Sequence, residues 1–134
     1  MTATPNTILI IAHTPLASAL RQCVAHVFPD RMDGVLALDV GPDDSVPDSL
    51  KTARRILLSR GNSPVLFLTD VLGATPCNVA RQLLSDRPSR LVAGVNLPML
   101  WRAVAYQNVP LDEWVDKALQ GGAQGLVQVD ATMN

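Results

Sequence analysis

The sequence has no excess of positive charge: eleven lysines and arginines stand against twelve aspartates and glutamates, a formal net charge of -1. Nucleic acid is thereby disfavoured as a partner, since its phosphate backbone calls for a basic surface. No apolar run approaches the roughly 20 residues that span a bilayer. The polar start, Met1 to Asn6, lacks the positive segment of a secretory signal, and Ile8 to Ala12 is too short for its apolar core and reads as a strand. Cysteine is scarce, and Cys23 with Cys77 builds no disulfide framework, which points to a reducing, cytoplasmic setting. There is no P-loop and no GxGxxG, so nucleotide binding has no support. Cys23 and His26 are three apart on one helix, but two ligands do not make a zinc site. Internal repeats, low-complexity tracts and an interdomain linker are also missing.

What is present suits one soluble core. A chain of 134 residues, 48% of them hydrophobic, fits a single compact domain. Four short apolar runs, Ile8–Ile11, Gly34–Leu38, Pro64–Leu68 and Arg90–Val95, are nearly continuous in apolarity rather than alternating. That is the pattern of parallel strands covered on both faces. Between them lie segments of helical period with marked starts. Thr14-Pro15 and Thr75-Pro76 each offer a capping hydroxyl followed by proline at the first helical position. Ser45 with Pro47 and Asn96 with Pro98 repeat the theme one residue looser. A last helix, about Leu111 to Leu119, opens on Asp112 and Glu113 and is expected to stop before Gly121-Gly122. The run Gly125 to Val129 then reads as an edge strand. The whole predicts one doubly wound α/β domain over residues 1–134, its core about 7–129. Its sheet is mostly parallel, of order about 2-1-3-4, with helices on both faces and the edge strand at the C-terminus.

Ligands in such folds gather at the carboxyl ends of the strands, where the strand order reverses. His13 follows the first strand and Asp70 the third, and in the order 2-1-3-4 those strands are neighbours. A carboxylate accepting from one imidazole nitrogen fixes the tautomer and frees the other nitrogen as a nucleophile. The helices opening at Thr14-Pro15 and Thr75-Pro76 would both turn N-terminal amides toward an anion. The hydroxyls of Thr14 and Thr75 would add donors. This arrangement suits phosphoryl capture without metal, nucleotide or other cofactor. A second reading stays open at this point, in which His13 is a structural hydrogen-bonder and Asp70 caps a turn. Trp101, Tyr106 and Trp114 read as core or subunit interface.

Three segments carry a resemblance: ILIIAHTPLASAL, PVLFLTDVLGATPCNVARQLL and LVAGVNLPMLWRAV. With Asp70, Gly73, Pro76 and Asn78 in the second and Gly94, Asn96, Pro98 and Met99 in the third, the chain resembles the enzyme IIA component of the mannose family of the bacterial phosphotransferase system, from about Thr7 to Val129. The resemblance implies a phosphotransferase working through phosphohistidine at His13, with Asp70 orienting the ring. It also implies that Gly73, Ala74, Thr75 and Pro76 help hold the phosphoryl group. The implied donor is the carrier HPr, and the acceptor a IIB component in sugar uptake or a regulatory relay. It further implies a homodimer that exchanges its C-terminal strand and meets the membrane only through a transporter complex. Two departures stand out: Thr14-Pro15 replaces the usual glycine after the histidine, and Gly73-Ala74-Thr75 replaces Gly-Gly-Ser. The alternative reading is a regulatory docking module of the same fold without efficient onward transfer. A small hydrolase would need an enclosed pocket and a nucleophile such as Ser18 or Cys77.

Overall fold

In a computed structural model, which describes residues 6–133, the chain forms four strands and five α-helices. Residues 1–5 and 134, part of the polar start and of the domain bounds predicted above, lie outside the described residues. The order is β1 (Thr7–His13), α1 (Leu16–Val27), β2 (Val35–Val40), α2 (Val46–Leu57), β3 (Val65–Thr69), α3 (Thr75–Leu83), β4 (Ser89–Ala93), α4 (Leu97–Ala105) and α5 (Leu111–Gln124). Short 3-10 turns, Pro29–Gly34 and Leu58–Arg60, lead out of α1 and α2. All three strand pairings are parallel, and the sheet order is β2-β1-β3-β4, as the alternation of elements predicted.

The continuous apolarity of the strands has a direct structural cause. Odd and even residues of β1 feed different cores. Ile8, Ile10 and Ala12 join Leu66, Leu68 and Val92 under α1, α4 and α5, where Ala17, Val24, Leu100, Val104, Trp114 and Ala118 close the layer. Leu9 and Ile11 join Val65, Phe67, Leu38 and Val40 under α2 and α3, with Leu50, Ala53, Leu57, Val79 and Leu83. Burying each of the leucines, isoleucines, valines and phenylalanine among them stabilises the fold by about 1.5–3 kcal/mol. Among the described residues, no helix is long and apolar enough to cross a membrane.

Helix ends divide into those the sequence placed and those it did not. The Ser45 side chain caps α2 by accepting from the Asp48 amide, and Asn96 caps α4 by accepting from the Met99 amide at 2.9 Å. At α1 the expected cap fails. Pro15 takes the cap position and offers no side-chain acceptor, and α1 starts later, at Leu16; the Thr14 amide donates to the Val40 carbonyl at 3.1 Å, and the Thr14-Pro15 bond is cis. At α3 the helix starts one residue earlier than expected. Ala74, in an extended conformation, occupies the cap position, so Thr75 is the first helical residue and Pro76 the second. Proline fits either place because first-turn amides have no intrahelical partner.

The C-terminus differs more. Helix α5 runs through Gly121-Gly122 to Gln124. The glycines do not stop it; they let it lie close against α4. A Cβ on Gly121 would come within 2.6 Å of the Arg102 Cβ and 3.0 Å of the Pro98 carbonyl oxygen. Beyond it the expected edge strand is not formed in the single chain. The amides of Gly125 and Leu126 turn back to the Gly121 and Ala123 carbonyls, so the start of that run finishes the helix and joins no ladder. Leu126, Val127 and Val129 stand exposed.

Candidate functional site

His13 is the last residue of β1 and Asp70 the first after β3, and the β1–β3 pairing brings their side chains into contact. Nδ1 of His13 lies 2.6 Å from Oδ2 of Asp70. The same carboxylate oxygen accepts the His13 backbone amide at 3.1 Å, while Oδ1 accepts the Val71 amide at 3.0 Å. One carboxylate thus grips both the backbone and the ring of the histidine. The Thr69 carbonyl behind it accepts the amides of Gly94 and Val95, which ties the β4–α4 loop to the same strand end.

Burial alone would raise the pKa of Asp70. The hydrogen bond to the His13 ring, the His13 amide and the attraction of a charged imidazole together outweigh it and hold the carboxyl below its ordinary value. Asp70 is therefore an anion and a pure acceptor at neutral pH. A neutral imidazole beside it carries its proton on Nδ1 and presents the Nε2 lone pair outward. The imidazole side chain is 54% exposed, the carboxylate 14%. More than half of the imidazole is thus in contact with solvent.

Alternation along β1 sets which helix the imidazole faces. His13 pairs in register with Val40, and Leu9, Ile11 and Val40 all pack toward α2 and α3. The ring therefore rises on the α3 side of the sheet. The connection from Asp70 to α3 turns at Gly73, whose φ of +87° suits glycine. It delivers Ala74, Thr75 and Pro76 to the head of α3, where no side chain caps the first-turn amides. Thr75 is exposed and Pro76 buried. Thr14 is exposed beside His13, its hydroxyl about 3.9 Å from where a Cβ on Gly41 would sit.

The two helix heads are not equivalent, contrary to the expectation that both would offer amides to an anion. The head of α1 is already occupied by a carboxylate. Asp39, at the end of β2, accepts the Ser18 amide at 3.0 Å through Oδ1 and the Ser18 hydroxyl through Oδ2. A negative charge there satisfies that helix end and repels a second one. Only the head of α3 shares the sheet face of the imidazole without a capping side chain. Asp39 is not among the residues the sequence singles out; it lies beside Ala12 in the strand register, which carries its carboxylate to the head of α1. Ser18 is thus engaged by Asp39, and Cys77 is buried in the first turn of α3. Trp114 is core, its Nε1 donating to the Ala103 carbonyl at 2.8 Å, while Trp101 and Tyr106 are exposed on α4 and just beyond it.

Comparison with known proteins follows the same lines. The family profile described as EIIA-man, PTS system fructose IIA component, matches residues 7–119. No curated protein sequence matches significantly. Among solved structures, a mannose/sorbose-specific IIA subunit from Enterococcus faecalis is similar with a TM-score of 0.87 and 24% identity, over 98% of this chain and 99% of that one. The phosphotransferase component EIIA from Streptococcus agalactiae is 26% identical with a TM-score of 0.79, covering 91% of this chain and 95% of the other. A protein from Enterococcus faecalis described as a sigma-54 interaction domain protein shares the fold at 11% identity, with a TM-score of 0.77 over 92% of this chain and 94% of that one.

Proposed function

The chain belongs to the mannose-family IIA components of the bacterial sugar phosphotransferase system, and on that premise we propose that it carries a phosphoryl group on Nε2 of His13, received from phospho-HPr and passed to a IIB component. Phosphoryl transfer within that system is the general role of the family. The observation that carries the specific reading is the 2.6 Å contact between His13 Nδ1 and an ionised Asp70, with the ring otherwise open to solvent.

The step is an in-line displacement between two histidines. The Nε2 lone pair attacks the phosphorus of the donor phosphohistidine. A new N–P bond forms as the donor's N–P bond breaks, and the donor imidazole leaves with the bonding pair. His13 keeps its proton on Nδ1 throughout, and Asp70 accepts it while balancing the positive charge that develops on the ring. Amides of the Gly73–Thr75 turn and the head of α3 stabilise the phosphoryl oxygens, and the hydroxyls of Thr75 and Thr14 supply further donors. Pro76 fixes the first turn of α3. No metal or cofactor is required by this chemistry. The reverse step hands the group to the acceptor, a IIB component or a regulatory protein. A relay of this kind works in the cytoplasm, reaches the membrane only through a transporter, and fits a homodimer that exchanges C-terminal strands.

The fold alone does not separate sugar uptake from regulation, since it recurs in the sigma-54 interaction domain protein. Transfer does. Intact-protein mass is measured after incubation with phosphoenolpyruvate, enzyme I and HPr, then after adding a IIB protein. A single acid-labile adduct, absent from His13→Ala and discharged by IIB, is expected. An adduct that IIB leaves in place would favour the regulatory docking module. No adduct, with a competent IIA protein labelled in the same tube, would overturn the carrier reading.

A further inference from the structure

Thr69 is the last residue of β3 and the one polar side chain in that strand, and it is fully buried. The other buried polar residues of the sheet, Thr7 and Ser89, open β1 and β4 and bond to the turns at the amino ends of the strands. Thr69 lies at the opposite, carboxyl end, beside His13 and Asp70. Alternation along β3 places its side chain with Val65 and Phe67, toward α2 and α3, on the face from which the His13 imidazole rises. Among the described residues its hydroxyl has one partner: it donates to Oδ1 of Asp70 at 3.4 Å.

Asp70 thus holds four donors: the ring and amide of His13 on Oδ2, and the Val71 amide and Thr69 hydroxyl on Oδ1. That is about the number a carboxylate accepts. The imidazole is the group to be held, so the carboxylate must be fixed by the other three, and Thr69 supplies the one side-chain donor among them. Packing alone gives no reason for a hydroxyl here, since a buried valine has the same outline and needs no partner. Resting on the carrier reading above, we propose that Thr69 is a positioning residue for phosphoryl transfer. Its buried hydroxyl acts through Asp70, steadying the carboxylate so that Oδ2 stays on Nδ1 of His13 and Nε2 keeps its lone pair for phosphorus. The contact is long in the resting site, and bonds of this kind tighten as the reaction proceeds. The Thr69 carbonyl meanwhile takes the Gly94 and Val95 amides, a backbone tie that side-chain substitution leaves in place.

Two substitutions in the full chain separate hydroxyl from shape. Thr69→Val keeps the β-branched outline, which suits a strand, and removes the hydroxyl. Thr69→Ser keeps the hydroxyl and removes the methyl. Single-turnover labelling by phospho-HPr reads the reaction. Nitrogen NMR of the His13 ring, at about pH 8.5 where an ordinary imidazole is neutral, reads the tautomer with no donor present. Thr69→Val is expected to be labelled about tenfold more slowly, the scale of a lost hydrogen bond to a charged group. Its ring signals are expected to move from the Nδ1-protonated tautomer toward the mixture of a free histidine. Thr69→Ser is expected to keep the wild-type ring signals and to be labelled faster than Thr69→Val. A packing role predicts the reverse order, because serine leaves a gap that valine fills, so slower labelling of Thr69→Ser overturns the inference. Wild-type labelling of Thr69→Val overturns it as well. Unchanged ring signals in Thr69→Val overturn it whatever the labelling. Ring signals that move in Thr69→Val alone, in chains that take no phosphoryl group, overturn the carrier reading and leave the positioning of the ring by Thr69 standing.

Discussion

Asp70 uses both oxygens, and this sets what replaces it. Oδ2 takes two donors from His13 and Oδ1 takes the Val71 amide. In Asp70→Asn, whichever way the amide is turned, its NH2 meets a donor that the carboxylate satisfied, and the charge opposite the ring is gone. The labelling rate of His13 is expected to fall by roughly 10²–10⁴-fold, as when a carboxylate orienting a reactive histidine is neutralised. Rapid-quench labelling by phospho-HPr checks this. The depressed pKa of Asp70 also has a sign. A carboxyl held below its ordinary 3.8 in the fold adds stability above that pH and loses it as the pH falls through the folded value. The stability advantage of wild type over Asp70→Asn in urea unfolding is therefore expected at neutral pH and to vanish in stronger acid. The contact between these residues was legible because a strand order of 2-1-3-4 makes strands one and three neighbours. Asp39 was not legible, since nothing local in the sequence says that its carboxylate crosses to Ser18.

Helix ends follow competition for backbone groups that sequence shows only in part. Ser45 and Asn96 were readable as caps because their amide partners lie three residues on. Thr14 reads as a cap but is not one, because the helix starts a residue later and Pro15 takes the cap position. The cap of α1 comes instead from Asp39, and Asp39→Ala is expected to lower stability by about 0.5–2 kcal/mol while the His13–Asp70 contact persists. Urea unfolding and the histidine ring NMR signals measure the two. The glycines of α5 make a sharper case, since propensity suggested a stop and packing overrode it. Alanine at either glycine gains about 1 kcal/mol of helix propensity. At Gly121 the added methyl meets the Arg102 Cβ at 2.6 Å and the Pro98 carbonyl at 3.0 Å, neither of which can swing away. At Gly122 the nearest atom is the terminal methyl of Met99, at 2.7 Å, on a flexible side chain. Gly121→Ala is expected to destabilise by about 1–3 kcal/mol, and Gly122→Ala to change stability by less than about 1 kcal/mol.

For the whole molecule the deciding strand is β1, which pairs on both edges and supplies side chains to both cores. Its near-continuous apolarity made it the most legible element, because only burial on both faces explains five apolar residues in a row. The same sharing decides how the domain unfolds. Leu9 faces α2 and α3, whereas Trp114 and Trp101 both sit on the α4–α5 side, so tryptophan fluorescence reports one layer only. If the two layers were independent, Leu9→Ala would loosen its own core and leave the fluorescence transition in place. Removing Leu9 from the shared strand instead weakens the ladder that carries Ile8 and Ile10 into the opposite core. Leu9→Ala is therefore expected to cost about 2–5 kcal/mol and to move the fluorescence and circular-dichroism midpoints together, at a fixed protein concentration. Coincident midpoints mean one cooperative unit, in which the strand that ends in His13 is held by both layers at once. Separated midpoints would mean that the α2–α3 layer, which flanks the phosphoryl site, can open while the rest of the domain stands.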